Sequence, residues 1–301
     1  MTIFLILAHR DFDHLINLLD SLEDQKIVLH IDKGSRELWS QAHNLGKYQN
    51  LSLIERRHSV NVRWAGFSQI QAMLKMMKTA TSLMNFGEKM VFLSGSDYPI
   101  RKKSEIVEKL GSQLSVEFLR YYKLDDRQKD LDRWSLYHRW DLRYFKNRGT
   151  TLNRLNSLLI RFMTNLETFI RGRKKSPPFF LYAGSQWFSI SKECAEELMA
   201  LRDHNFDSFF KTMFAPDEVY FHTLFSLSSF SKKNLDGGVC TTSHESSRIF
   251  QVRNLTYVDE SLNKWLDIND LKALMETNYL FARKFDSRIS KSLISFLRFR
   301  L

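Results

Sequence analysis

Ile3-Phe-Leu-Ile-Leu-Ala8 is an unbroken apolar run, and Ile27-Val-Leu-His-Ile31 repeats it after a helical interval in which Leu15, Leu18, Leu19 and Leu22 share one face. A strand without apolar–polar alternation is buried on both faces, the condition of a parallel sheet covered by helices. The opening therefore reads strand, helix, strand. Working outward, Leu51–Glu55 reads as a further strand and Ser68–Leu83 as a helix. Met90-Val-Phe-Leu93 reads as a strand running into Ser-Gly-Ser-Asp-Tyr-Pro99. In such α/β sheets ligands bind beyond the carboxyl ends of the strands. That rule puts His30, Asp32, Ser94, Gly95, Ser96 and Asp97 beside a ligand.

Beyond this core, 115–145 mixes charges with aromatic residues, and apolar positions from Leu152 to Ile170 keep a helical period that Arg171–Lys175 and Pro177-Pro178 end. Phe179–Ile190 reads as strand, Lys192–Asp203 and Pro216–Leu227 as helices, and Val252–Val258 as strand. No repeat or low-complexity linker interrupts the 301 residues. One continuous domain is expected, in two halves (1–110 and 111–286) followed by a basic amphipathic tail (287–301). The composition, 43% apolar and 26% charged, excludes disorder. No apolar run is long enough to cross a membrane and no basic n-region precedes the first strand, so a cytoplasmic location is expected. Two cysteines, Cys194 and Cys240, have no metal-ligand or disulfide spacing.

The net charge of +11 is concentrated in 147–175 and 283–301, whose excesses account for all of it. Two local surfaces therefore seek anions, which by composition alone are nucleic acid, an anionic membrane or a phosphorylated small molecule. The nine histidines form no metal motif, and Gly-x-Gly-x-x-Gly, Walker and Gly-x-Ser-x-Gly patterns are absent. Dehydrogenase, P-loop kinase and α/β-hydrolase readings lose support.

Three motifs remain, each with a plain alternative. Leu93-Ser-Gly-Ser-Asp-Tyr-Pro-Ile100 offers small residues and an acceptor, Asp97, for sugar or ribose hydroxyls, or is an ordinary turn. In Phe214-Ala-Pro-Asp-Glu-Val-Tyr-Phe-His222, Asp217 fits helix-terminus chemistry. Glu218 is either the same or a carboxylate whose apolar neighbours tune it as a general base. Leu280-Phe-Ala-Arg-Lys-Phe-Asp286 follows a helical stretch and sets two adjacent cations among aromatics, so that one must face inward and needs an anion such as a diphosphate. Arg253 is a second cation for that task.

With these segments, the chain resembles the core-2/I-branching β-1,6-N-acetylglucosaminyltransferase and peptide O-xylosyltransferase family, glycosyltransferase family 14, in a short bacterial form. The matching pieces, in family order, are Ile6-Leu-Ala-His9 with Leu29-His-Ile-Asp-Lys33, Arg57-His-Ser, Trp64-Ala-Gly-Phe-Ser68, Leu93–Ile100, Gly184-Ser-Gln-Trp-Phe188, Pro216-Asp-Glu218 and Leu280–Asp286. The resemblance implies a glycosyltransferase-A type, Rossmann-like, mostly parallel sheet covered by helices, a UDP-sugar donor, inversion, and neither metal nor other cofactor. It implies Glu218 as catalytic base and Lys284, with Arg253 as partner, on the leaving diphosphate. His9, Asp32, Ser96 and Asp97 fall on the nucleotide and sugar side, and Ser185, Gln186 and Trp187 beside the acceptor or donor sugar. Without the anchor and disulfides of animal members, the expected partner is a bacterial glycan or lipid-linked saccharide acceptor, with possible peripheral contact to an anionic inner membrane through the tail or helix 152–171. For the tail, packing on the domain is the competing reading. A competing class is a non-catalytic anion-binding or nucleic-acid-binding protein using the two basic segments, which no RNA- or DNA-binding motif supports.

Overall fold

A computed structural model of the chain describes residues 2–124, 128–142, 150–174, 176–240 and 255–300. The first sheet is built on β1 (Thr2–Ala8), every residue of which is buried, as its uninterrupted apolar run requires. After α1 (Phe12–Ser21) comes β2 (Lys26–Ile31), then α2 (Arg36–Gln41) and β3 (Leu51–Leu53), shorter than the sequence suggested. Helix α3 (Ser68–Leu83) has the expected bounds and leads to β4 (Lys89–Ser94), the short β5 (Asp97–Pro99) and α4 (Lys103–Ser112). Strands β1 to β4 are mutually parallel where they pair.

The second half continues with β6 (Tyr121–Lys123), α5 (Gln128–Ser135) and α6 (Thr150–Arg171). The strand expected over 179–190 divides into β7 (Tyr182–Gly184) and β8 (Ser189–Ser191). They belong to different sheets: β7 pairs with β6, while β8 runs antiparallel to β4 and closes the first sheet in the order β3-β2-β1-β4-β8. Ser185-Gln-Trp187 is the turn between them. Gly184 permits it, because a Cβ there would collide with the Arg120 carbonyl and the His222 ring. Helices α7 (Lys192–Leu201), α8 (His204–Phe210) and α9 (Tyr220–Leu227) follow. The helix expected from Pro216 is instead a single 3-10 turn, Pro216–Glu218, separated from α9 by Val219 at φ −122°.

The C-terminal part adds β9 (Thr256–Val258), α10 (Leu271–Glu276), β10 (Phe281–Arg283) and α11 (Lys291–Arg300). The two adjacent cations, Arg283 and Lys284, thus diverge from a strand, not a helix, with β10 between β5 and β9. The expected start of β9 at Val252, and Arg253 itself, lie outside the described residues. Within the tail, Ile289 precedes the helix and Phe296 is exposed. Leu293, Ile294 and Leu297 are the residues that pack, against a cluster holding Tyr98, Ile100, Leu274 and Phe285. The packing reading of the tail therefore describes α11.

One ion pair inside this framework was invisible in the sequence. Lys89 at the start of β4 and Glu117 are each 1% exposed, 3.5 Å apart. Glu117 also accepts from the Ser191 backbone N–H at 2.7 Å and from its hydroxyl at 2.6 Å, and Lys89 donates to the Val116 carbonyl at 2.7 Å. The pair fastens β4, β8 and the segment before β6 at one edge. Removing one partner leaves a buried charge uncompensated, so Glu117→Ala should lower unfolding free energy by roughly 3–5 kcal/mol. Urea unfolding monitored by circular dichroism checks this, and a loss under about 1 kcal/mol, the scale of an exposed pair, would contradict it.

Candidate active site

A cleft of about 650 Å³ opens where the β1, β2 and β4 strands end, and its lining joins residues from every third of the chain. His9, Asp32, Ser96, Ser185, Gln186, Trp187, Glu218 and Lys284 all reach it, together with Arg10, Asp217 and Arg283. The strand-end rule explains the first group, since β1 delivers His9 and Arg10 while β2 delivers Asp32.

One wall is cationic. The Arg283 guanidinium is nearly buried, 3.5 Å from Asp97 Oδ1 and 4.4 Å from the centre of the Trp187 ring. Lys284 reaches Asn263 Oδ1 at 3.4 Å, and Arg10 lies 3.1 Å from Asp286 and 4.2 Å from the Trp265 ring centre. Partial burial pulls the Lys284 ammonium below its ordinary value, and the positive charges of Arg283 and Arg10 pull it further. Cations that depress one another are stabilised together by an anion. The His9 imidazole, solvent-reachable but crowded by the cleft, is likewise lowered, first by desolvation and then by Arg10.

Asp97 sits behind this wall rather than on it. Fully buried, it accepts from the Ser94 N–H at 2.8 Å and faces Arg283, while Ser94 Oγ accepts from the Ser96 N–H at 3.1 Å. The small residues of this loop serve the protein's own packing: a Cβ on Gly95 would lie 3.0 Å from Ala8 Cβ. Asp32 accepts from the Val62 N–H at 2.8 Å. His30, expected beside the ligand, is buried off the cleft, with Nε2 accepting from the Val60 N–H at 2.9 Å. Burial lowers it to about 4, so it is a neutral structural acceptor.

The opposite wall carries the carboxyls of the 3-10 turn. Glu218 Oε2 lies 2.8 Å from Arg133 Nη2 of α5, and the same guanidinium donates to the Phe214 and Ala215 carbonyls at 3.1 and 2.6 Å. Arg133 therefore fixes both the turn and its carboxylate. The apolar enclosure expected for Glu218 belongs to its neighbour: Asp217 is buried and is raised above the carboxylate range by burial first and by the Glu218 charge second. Between the walls, the Ser185 hydroxyl accepts from the Trp187 N–H at 3.2 Å, and the Gln186 side chain accepts from Gln69. Trp64 rests edge-on against Trp140 and Phe214 at the mouth.

Sequence reasoning missed Arg10 and Arg133, and it left open which of the adjacent cations Arg283 and Lys284 faces inward. Arg10 follows His9 at the end of β1, so the strand-end rule had covered it. Nothing local separates Arg133 from other arginines of 115–145, because its role depends on a contact 85 positions away.

The profile of the Core-2/I-Branching enzyme family matches residues 3–259. The chain belongs to the Core-2/I-branching enzyme family. Among family relatives, xylosyltransferase 2 of Rattus norvegicus is 23% identical over 289 residues, covering 93% of this chain and 31% of the relative. Xylosyltransferase 2 of Homo sapiens is 24% identical over 99% of this chain and 33% of its own length. The chain thus spans about a third of the length of these curated relatives. Among solved structures, mouse xyloside xylosyltransferase 1 in its apo form aligns over 94% of this chain and 97% of its own, at 10% identity and a TM-score of 0.36.

Burial raises the Asp97 carboxyl from 3.8 to about 6, against the opposing pull of Arg283. A carboxyl whose folded value lies above its unfolded one favours the native state while protonated, and this contribution is lost as pH rises through the folded value. Wild-type stability relative to Asp97→Asn should therefore fall between pH 4 and 6 and level off above. Urea unfolding of both proteins across this range tests it, and parallel stability curves would contradict it.

Proposed function

We propose that this chain is a glycosyltransferase that moves a sugar of the xylose, N-acetylglucosamine or glucose type from a UDP-sugar to a hydroxyl of a glycan acceptor, with inversion and without a metal. The observation carrying this reading is the opposition, within one cleft, of an arginine-held carboxylate at Glu218 and a cationic wall of Arg10, Arg283 and Lys284. Family membership and the xylosyltransferase relatives support the same reaction class. A glycan of a bacterial surface polysaccharide or its lipid-linked precursor is the acceptor we favour.

The chemistry follows from those two walls. Glu218 takes the proton of the acceptor hydroxyl as its oxygen attacks the anomeric carbon from the face opposite the diphosphate. The bond from that carbon to the phosphate oxygen breaks, and its electron pair leaves with UDP. Lys284 and Arg10 face the departing charge, and Arg283, steadied by Asp97 and Trp187, contributes from behind. Stabilising charge as it develops is commonly the largest catalytic contribution. Asp217, favoured neutral, adds no second negative charge beside the base. Trp187, Ser185 and Gln186 form the turn on which the sugar would rest, and Asp32 and His9 border the nucleotide side. Among the described residues no group of three or more His, Cys, Asp or Glu side chains could hold a metal ion. The diphosphate side offers fixed protein cations for the same neutralisation.

Glu218→Gln keeps the shape and the reach to Arg133 but cannot take the proton. Transfer should fall by ~10²–10⁴-fold, with UDP affinity by calorimetry within about threefold of wild type, well under 1.4 kcal/mol. Near wild-type transfer would reject Glu218 as base. Lys284→Ala should weaken UDP and UDP-sugar binding alike, by at least about tenfold for a lost charge-assisted contact. Transfer by the unaltered protein should be indifferent to EDTA. Activity lost to the chelator and restored by manganese would overturn the metal-free reading.

A further inference from the structure

Helix α6 is amphipathic in an unusual sense, because its apolar stripe faces away from the domain. Leu155, Leu158, Phe162, Leu166, Phe169 and Ile170 are all exposed, from 39% to 89%. The face that packs inward is the more polar one, with Asn156, Ile160 and Thr164 buried. From Leu155 to Ile170 the stripe runs about 24 Å along the helix, a continuous length rarely left open in a soluble domain. Arg154 and Arg161, both exposed, run along one edge of it, and Arg171 and Arg173 gather at its end. Glu167 is the single acid of the helix, and Arg139 and Arg171 neutralise it.

We propose that α6 lies in the surface of an anionic membrane, with the Leu and Phe stripe among the acyl chains and the flanking arginines at the phosphates. The charge pattern selects this occupant. A second copy of the chain on the stripe would bring two arginine edges together. Asn165 also interrupts the heptad seam 155, 158, 162, 165, 169 that a helix pair would need. An anionic lipid surface satisfies both features, since apolar burial and headgroup attraction act together there, with about 1 kcal/mol from each near-surface cation. No described helix is long and apolar enough to cross a membrane, so the helix rests on the surface.

The inner face of α6 ties this surface to the cleft. Glu167 pairs with Arg139 at 2.7 Å, Thr168 Oγ1 accepts from the Tyr137 N–H at 3.2 Å, and the Lys174 N–H donates to the Ser135 carbonyl at 2.8 Å. The stretch so fastened begins just after Arg133, which holds Glu218, and ends at Trp140, which packs on Trp64 at the cleft mouth. Docking would therefore bring the carboxylate side of the cleft to the lipid. Only the corollary that the acceptor is itself membrane-borne rests on the proposed sugar transfer.

Co-sedimentation of the full chain with vesicles of phosphatidylcholine and phosphatidylglycerol in equal parts, against pure phosphatidylcholine, tests the proposal. Binding to the anionic vesicles should exceed that to neutral ones and fall with added salt. The triple variant Leu158→Gln, Phe162→Gln, Phe169→Gln should lose at least about tenfold in partitioning with its melting transition retained, and Arg154→Gln with Arg161→Gln should lose several-fold. Three results would overturn it: no binding to anionic vesicles, binding unchanged by the stripe variant, or a solution dimer that the same variant dissolves. UDP binding, measured in parallel on the stripe variant, should stay unchanged, which separates failure of docking from failure of the catalytic reading.

Discussion

The cleft depends on one buried contact, the Arg283 guanidinium held between the Asp97 carboxyl and the Trp187 ring. Each partner comes from a different element: Asp97 opens β5 opposite Arg283 in the register, Trp187 lies in the turn between β7 and β8, and Arg283 is the last residue of β10. The contact therefore fastens the sheet of β5, β10 and β9 to the turn that leads into β8 of the first sheet, at the cationic wall of the cleft. It also keeps a cation in place that solvent would otherwise screen. Loss of the Asp97 charge would leave Arg283 buried without its counter-ion and remove a negative charge that Lys284 also feels, while Arg10 keeps its own partner in Asp286.

Across the cleft the same logic appears with the sign reversed. Arg133 makes three hydrogen bonds to the turn that carries Glu218, so the carboxylate is positioned by a cation just as Arg283 is positioned by an anion. Preorganisation of this kind keeps reorganisation small when charge develops during reaction. Burial favours the neutral form of Asp217, so no second full negative charge is favoured beside Glu218.

The parallel core was legible because its residues leave no choice. Runs such as Ile3–Ala8 and Met90–Leu93 have no polar face to turn outward, and α3 kept its expected bounds exactly because its apolar period is long. The strand-end rule named Asp32, Ser94 and Ser96, which line the cleft, but also His30, which is buried off it; His9 entered through the family resemblance alone. What failed depended on contacts distant in sequence. The strand expected over 179–190 breaks at Ser185–Trp187 because Gly184 must pass close under Arg120 and His222. The helix expected from Pro216 is instead a single 3-10 turn, entered through the Phe214 and Ala215 carbonyls that the distant Arg133 holds. Arg283 and Lys284 follow a helix, α10, as expected, but the pairing of β10 between β5 and β9 is announced by no local pattern. The stripe on α6 was legible as a stripe, but which way it faced was not.

The central claim is that one cleft transfers a sugar by in-line displacement between a carboxylate and a wall of protein cations. Proton NMR of the anomeric region, recorded while the protein acts on a panel of α-linked UDP-sugars with a glycan acceptor in the presence of EDTA, tests it most directly. The account predicts that the donor's α-anomeric signal decays as a β-anomeric product signal grows. An α-configured product, or no transfer from any UDP-sugar that the protein binds, would contradict it.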